Sequence, residues 1–215
     1  MGANLKAGIR SVDDVVGSVG RVTPRQLAHI VLKTSNYEPM IDWWLKVLDA
    51  TIVVKRPNAT FLTFDAEHHR LAIVNVPRLR PFDVNRCGVD HIAFTYNELP
   101  ELLYTYKRLK QLGISPRWCP GGGLLMSLYY QDPDGNRAQL QWDVFATAEQ
   151  LDRFQNDPKI VLNPFGAPFD PDEILAAYEA GMPVEEIVKI PRYPEGMGLK
   201  NIMDQMGIGE VDVEY

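Results

Sequence analysis

The chain is short of cysteine, of histidine and of long apolar runs, and each scarcity narrows what it can be. Two cysteines, Cys87 and Cys119, occur in 215 residues. They lie far apart without a Cys-x-x-Cys pair, which leaves two reduced thiols in a cytoplasmic protein as the expected state. No apolar stretch approaches the roughly 20 residues that span a bilayer, so no membrane partner is expected. The N-terminus, "MGANLKAGIRSVDDVVGSVG", carries Asp13 and Asp14 and no sustained apolar centre, so it does not look like a secretory leader. Basic residues are outnumbered, 22 Lys and Arg against 28 Asp and Glu, for a net charge of −6. Without a basic cluster, nucleic acid is not an expected partner either.

What is present is enough for one core or for two small modules packed as one, with 46% hydrophobic and 23% charged residues. Residues 1–25 are a polar arm. Then "QLAHIVLKT" reads as a strand. "NYEPMIDWWLKVLDA" reads as a helix, with Met40, Trp43, Trp44, Val47 and Leu48 at helical spacing. "TIVVKR", "TFLTFDA" and "HRLAIVNV" are three more strands. The same order returns as "GVDHIAFTY", the helix "LPELLYTYKRLKQLG" stopped at Gly113, and the strands "ISPRW", "LLMSLYYQD" and "RAQLQWDVF". The expected fold is therefore α+β, with two tandem βαβββ modules at 26–87 and 88–145. They should form a curved sheet bearing a cleft, the first strand of one module next to the first strand of the other.

An extension over 146–215 follows. Asp170 is placed to cap a helix, Pro171 to open it and Gly181 to stop it. The Gly-, Pro- and Met-rich end either wraps the core or reaches a second copy, so a homo-oligomer is compatible with it.

All four histidines fall at repeat-related or paired positions. His29 in "LAHIVLKT" aligns with His91 in "VDHIAFTY", while His68 and His69 stand together before "RLAIV". Two imidazoles and a carboxylate hold Fe(II), Mn(II) or Zn(II) and leave positions open for substrate. The last strand of the second module should bring the third donor, and there Gln139 stands in "DPDGNRAQLQWD".

The doubled βαβββ pattern and the closing "DPDGNRAQLQ" resemble the vicinal oxygen chelate superfamily of glyoxalases, bleomycin-resistance proteins and type I extradiol dioxygenases. The "HH" before "RLAIV", with "GVDHIAF" and "YYQDPDGN", is most similar to the extradiol dioxygenase branch. The resemblance covers about residues 26–145 and implies a set of roles. His29, His91 and the position of Gln139 would hold a divalent metal, most often Fe(II), with Mn(II) or Zn(II) as alternatives. His69 would handle protons beside the metal. Tyr129 would hydrogen-bond a substrate hydroxylate. Trp118 and Met126 are placed to line the cleft for a small aromatic or diol substrate.

Two departures stand out. Gln139 replaces the glutamate of that branch; its carbonyl can ligate but brings no charge. One charge at 4 Å is worth about 4 kcal/mol at an effective dielectric near 20. The loop "WCPGGGLLM" has Trp118, Cys119 and a flexible Gly121–Gly122–Gly123 run where that branch usually has a histidine. Of the nearby carboxylates, Glu67 shares His69's parity, whereas Asp65 and Asp90 read as solvated turn charges, Asp90 pointing away from His91. Three functions remain in view. They are a ring-cleaving oxidoreductase, a non-oxidative Lewis-acid enzyme on the same scaffold, and a metal-free binding protein of the bleomycin-resistance type.

Overall fold

Short runs rich in β-branched and apolar residues set the strands, and 3.6-residue spacing sets the two long helices. A computed structural model describes residues 20–80, 87–145, 147–156, 166–193 and 195. The expected arm before residue 20 and the Met-rich end after residue 195 lie outside the described residues. The first repeat is β1 (Ile30–Thr34), α1 (Tyr37–Leu48), β2 (Thr51–Arg56), β3 (Ala59–Thr63) and β4 (Leu71–Asn75). The second is β5 (His91–Tyr96), α2 (Leu99–Gln111), β6 (Pro120–Gly121), β7 (Leu125–Gln131) and β8 (Arg137–Asp143). The extension adds α3 (Ala148–Gln155), β9 (Ala167–Pro168), α4 (Pro171–Glu179) and α5 (Val184–Ile187).

Each module closes by pairing its first strand with its last in parallel. The first sheet runs β1-β4-β3-β2 and the second β5-β8-β7. Ile30 lies opposite Leu71 in one, and His91 opposite Arg137 in the other. Among the described residues β1 and β5 share no ladder, so the expected neighbouring of the two first strands is not a strand pairing. Side chains join the halves instead. Trp44 of α1 packs edge-on against Phe94 of β5, with ring centroids 6.1 Å apart, and Phe64 does the same at 5.7 Å.

"ISPRW" does not become a full strand. Pro116 and Pro120 offer no N–H to a ladder. What remains is the Trp118–Tyr129 bridge, in which Arg117 N donates to Tyr129 O at 2.7 Å and Tyr129 N to Trp118 O at 2.8 Å. The extension takes up the edge beyond it. β6 pairs with β9, and Phe169 N donates to Cys119 O at 2.9 Å. The glycine run is thus not simply a flexible loop. Gly166 has φ of +69°, and a Cβ there would lie 2.9 Å from the Gly121 carbonyl oxygen, a contact that only glycine tolerates.

The core lies between the helices and the inner faces of both sheets. Met40, Ile41, Trp44, Val47 and Leu48 of α1 and Leu102, Tyr106 and Leu109 of α2 are buried there. Each such side chain contributes roughly 1.5–3 kcal/mol. Asp170 caps α4 as expected, its carboxylate accepting from Asp172 N at 2.9 Å.

The "DPDGN" turn is a structural joint. Asp132 Oδ1 accepts from Asn136 N at 2.8 Å and Asp134 N at 3.0 Å, and Oδ2 accepts from the indole N–H of fully buried Trp44 at 3.2 Å. Burial raises the Asp132 pKa, and these donors oppose the rise. Asp132→Ala would strand several buried donors at once, so urea unfolding should show a loss of about 3 kcal/mol. An unchanged midpoint would mean the joint carries no stability.

Candidate active site

Strand register decides which side chains share a face. Gln139 of β8 lies opposite Ala93 of β5 and opposite Tyr129 of β7. Registered partners project to the same side, and His91 shares that side with Ala93. His91, Gln139 and Tyr129 therefore stand on one polar face with Ser127, Thr95 and Gln141. The reverse face, with Phe94, Leu128 and Leu140, packs into the core.

His91 stands at the start of β5. Its ring meets the Tyr129 ring edge-on at 5.3 Å. Asp90 does not point away from it, as strand alternation predicts. Residue 90 precedes the strand, so its carboxylate is free to turn back. Asp90 Oδ2 lies 2.8 Å from His91 Nδ1, and Oδ1 accepts from Arg137 Nη1 at 3.1 Å. Trp118 stacks on Tyr129 with centroids 4.7 Å apart. Burial pushes the Tyr129 hydroxyl up to about 12, and the Asp90 charge adds to the shift.

The other half brings His29 to His69. Their ring centroids are 4.4 Å apart. Neither is within a strand; His29 immediately precedes β1, His69 lies two residues before β4, and the parallel pairing of those strands makes them neighbours. Arg70 holds this corner. It donates to Leu27 O at 2.8 Å and Ala28 O at 3.1 Å, and pairs with Asp65 at 2.9 Å. Phe61 sets its edge on His69 at 5.1 Å, and His68 Nδ1 is 2.6 Å from His69 Nδ1. Desolvation lowers the His69 pKa, with the imidazoles of His29 and His68 adding to the effect. Glu67 is engaged by the His68 backbone N–H at 3.1 Å and by the Gln26 amide.

Gln139 is 4% exposed, and its Nε2 donates to Ser127 Oγ at 2.8 Å. Met126 is not brought to this face. At one residue from Ser127 it points the opposite way, 1% exposed, into a second apolar cluster with Leu99, Leu103, Ile174 and Ile187. It supports the extension rather than lining the cleft.

The family model described as "Glyoxalase/Bleomycin resistance protein/Dioxygenase superfamily" matches residues 26–140. The chain belongs to this superfamily. Within it, biphenyl-2,3-diol 1,2-dioxygenase 2 of Rhodococcus globerulus is 44% identical over 166 residues, 77% of this chain and 87% of the relative. Biphenyl-2,3-diol 1,2-dioxygenase 3 of the same organism is 40% identical over 171 residues, 77% of this chain and 88% of the relative. A solved glyoxalase/dioxygenase from Nostoc punctiforme is 18% identical, with a TM-score of 0.48 over 58% of this chain and 97% of its own. By its curated superfamily relatives the chain is an enzyme, an oxidoreductase of the dioxygenase kind.

Among the described residues no three His, Cys, Asp or Glu side chains are grouped to hold a metal ion. Two imidazoles and one amide oxygen suit a borderline divalent ion; here His29 meets His69 while His91 meets Asp90 and Tyr129, and none of these contacts joins the two halves. Ser127 and Arg70 escaped sequence reading, and Asp90 reads there as a solvated charge pointing away from His91. Ser127 had a visible signal, a hydroxyl two residues before Tyr129 in an otherwise apolar strand. Asp90 had none, because its turn back onto His91 is a loop geometry. Arg70 had none either, since its targets are backbone carbonyls some forty residues away.

Proposed function

We propose that the protein is an extradiol-type dioxygenase acting on a catechol or related aromatic diol. His29, His91 and the Gln139 carbonyl would hold a divalent metal, with Fe(II) the best match and Mn(II) or Zn(II) as alternatives. The observation that carries this reading is the polar face itself. His91, Tyr129 and Gln139 share it within a chain 44% identical to a biphenyl-2,3-diol 1,2-dioxygenase.

Bound there, the metal would supply Lewis-acid polarisation of vicinal oxygens and redox chemistry with O2. The chain's own residues do the rest. Asp90 orients His91 through Nδ1 and leaves Nε2 to ligate. Tyr129, backed by Trp118, presents its hydroxyl as a hydrogen-bond donor to a substrate oxygen. His69 stands beside His29 and serves as the group that takes and returns the substrate proton. The Trp118 and Tyr129 rings exclude water from one side of the diol.

Gln139 favours a second reading. A neutral third ligand leaves the metal a stronger Lewis acid and harder to oxidise, which suits non-oxidative chemistry on an enediol or phenol.

Protein purified anaerobically and loaded with Fe(II) should consume one O2 per diol when given catechol or biphenyl-2,3-diol, with loss of the aromatic absorbance. Metal bound at one equivalent without oxygen uptake, across a panel of catechols, would sink the oxidative reading and leave the Lewis-acid one.

A further inference from the structure

We propose that Ser127 is a positioning residue that turns the Gln139 amide so that its oxygen, not its nitrogen, faces the metal. The inference rests on the metal reading above. An amide has two unlike ends: the carbonyl oxygen can bind a cation, whereas the NH2 group cannot. Rotation of the terminal amide is a soft torsion with two nearly equivalent wells. Nothing inside glutamine selects the productive one. A glutamate would need no selection, because its two oxygens are alike.

The partner is on the neighbouring strand: a serine hydroxyl can meet either end of an amide, and here it meets the nitrogen. Gln139 Nε2 donates to Ser127 Oγ at 2.8 Å, and Ser127 is fully buried. The direction of that bond matters. Ser127 lies opposite Gln141, two residues beyond Gln139 along β8, so it draws the amide nitrogen toward that end of the strand. His91 lies opposite Arg137, two residues the other way. The carbonyl oxygen is left turned toward the end where His91 stands. It is also free to bind. Among the described residues the buried side-chain polar atom without a partner is Tyr130 Oη, on the core face. Gln139 Oε1 accepts no hydrogen bond among the described residues and so remains reachable from the polar face.

A serine suits both states of this position. It accepts from an amide and can donate to a carboxylate, so Gln139→Glu would keep the contact with its direction reversed. What changes is the consequence of losing the serine. With glutamine, loss frees the amide to present its nitrogen. With glutamate, either oxygen still ligates.

The test is a titration of metal-free protein with Mn(II), read by calorimetry. Ser127→Ala should weaken Mn(II) binding by roughly 10–100-fold in the native background and by less than about 3-fold when combined with Gln139→Glu. Ser127→Cys, close in volume and a weak acceptor, should act in the same direction and serves if the alanine variant is unstable. A general loss of structure would lower affinity equally in both backgrounds, so equal penalties overturn the proposal. An unchanged affinity in Ser127→Ala and Ser127→Cys also overturns it. If the unsubstituted protein binds no Mn(II) while Gln139→Glu does, the metal reading itself fails, and this inference with it.

Discussion

His91→Ala is expected to empty the metal site and reduce turnover to background. The ring supplies one of two imidazoles, and the third donor, Gln139, brings no charge to hold the ion when one imidazole is gone. Loss of a partner one bond further out costs 10–100-fold in metal affinity, so loss of a direct ligand should exceed about 100-fold. His29→Ala should do the same. The folded state should survive both changes. His29 is exposed, and His91 is half-buried and makes its side-chain contacts with Asp90 and the Tyr129 ring. Metal content after anaerobic purification, measured beside the unfolding midpoint, separates the two effects. Near-stoichiometric metal in either variant would remove that histidine from the ligand set.

Gln139→Glu should act in the opposite direction and bind metal more tightly. A unit charge 4 Å away is worth about 4 kcal/mol at an effective dielectric near 20. Part of that is spent desolvating a carboxylate at a position only 4% exposed. A gain of about 100-fold in affinity, close to 2.7 kcal/mol, is the expected balance. Ser127 should then donate to the new carboxylate, so the fold should tolerate the change. Mn(II) titration of the two proteins measures the gain. Unchanged or weaker binding would mean that residue 139 does not face the ion.

The chemistry should shift with the charge. A carboxylate makes Fe(II) easier to oxidise, so oxygen uptake with catechols should rise in Gln139→Glu if the native site already works oxidatively. If the native site is tuned for Lewis-acid work, the native protein should outperform the variant in that reaction.

Local pattern made the secondary structure legible, because a β-branched apolar run and a helix of 3.6-residue spacing are readable without a partner. The helices at Tyr37–Leu48 and Leu99–Gln111 and seven of the eight expected strands follow that rule. "ISPRW" broke it. Pro116 within it and Pro120 just after it offer no N–H to a ladder, and only an extension distant in sequence could supply the missing edge. Met126 failed for a related reason. A residue one step from Ser127 belongs to the opposite face, and Met126 is covered there by α2 together with α4 and α5 of the extension.

The residue types that could do chemistry were determined by the sequence itself: four histidines in paired or repeated places, Tyr129, and a glutamine where charge was expected. Their relations were not. The parallel β1–β4 and β5–β8 pairings set His29 beside His69 and put His91 on one face with Gln139, and each joins residues more than thirty positions apart. The turn of Asp90 onto His91 and the bond from Gln139 to Ser127 depend on side-chain directions. Direction is a property of packed strands and loops, not of spacing along a chain, so only the tertiary structure could decide it.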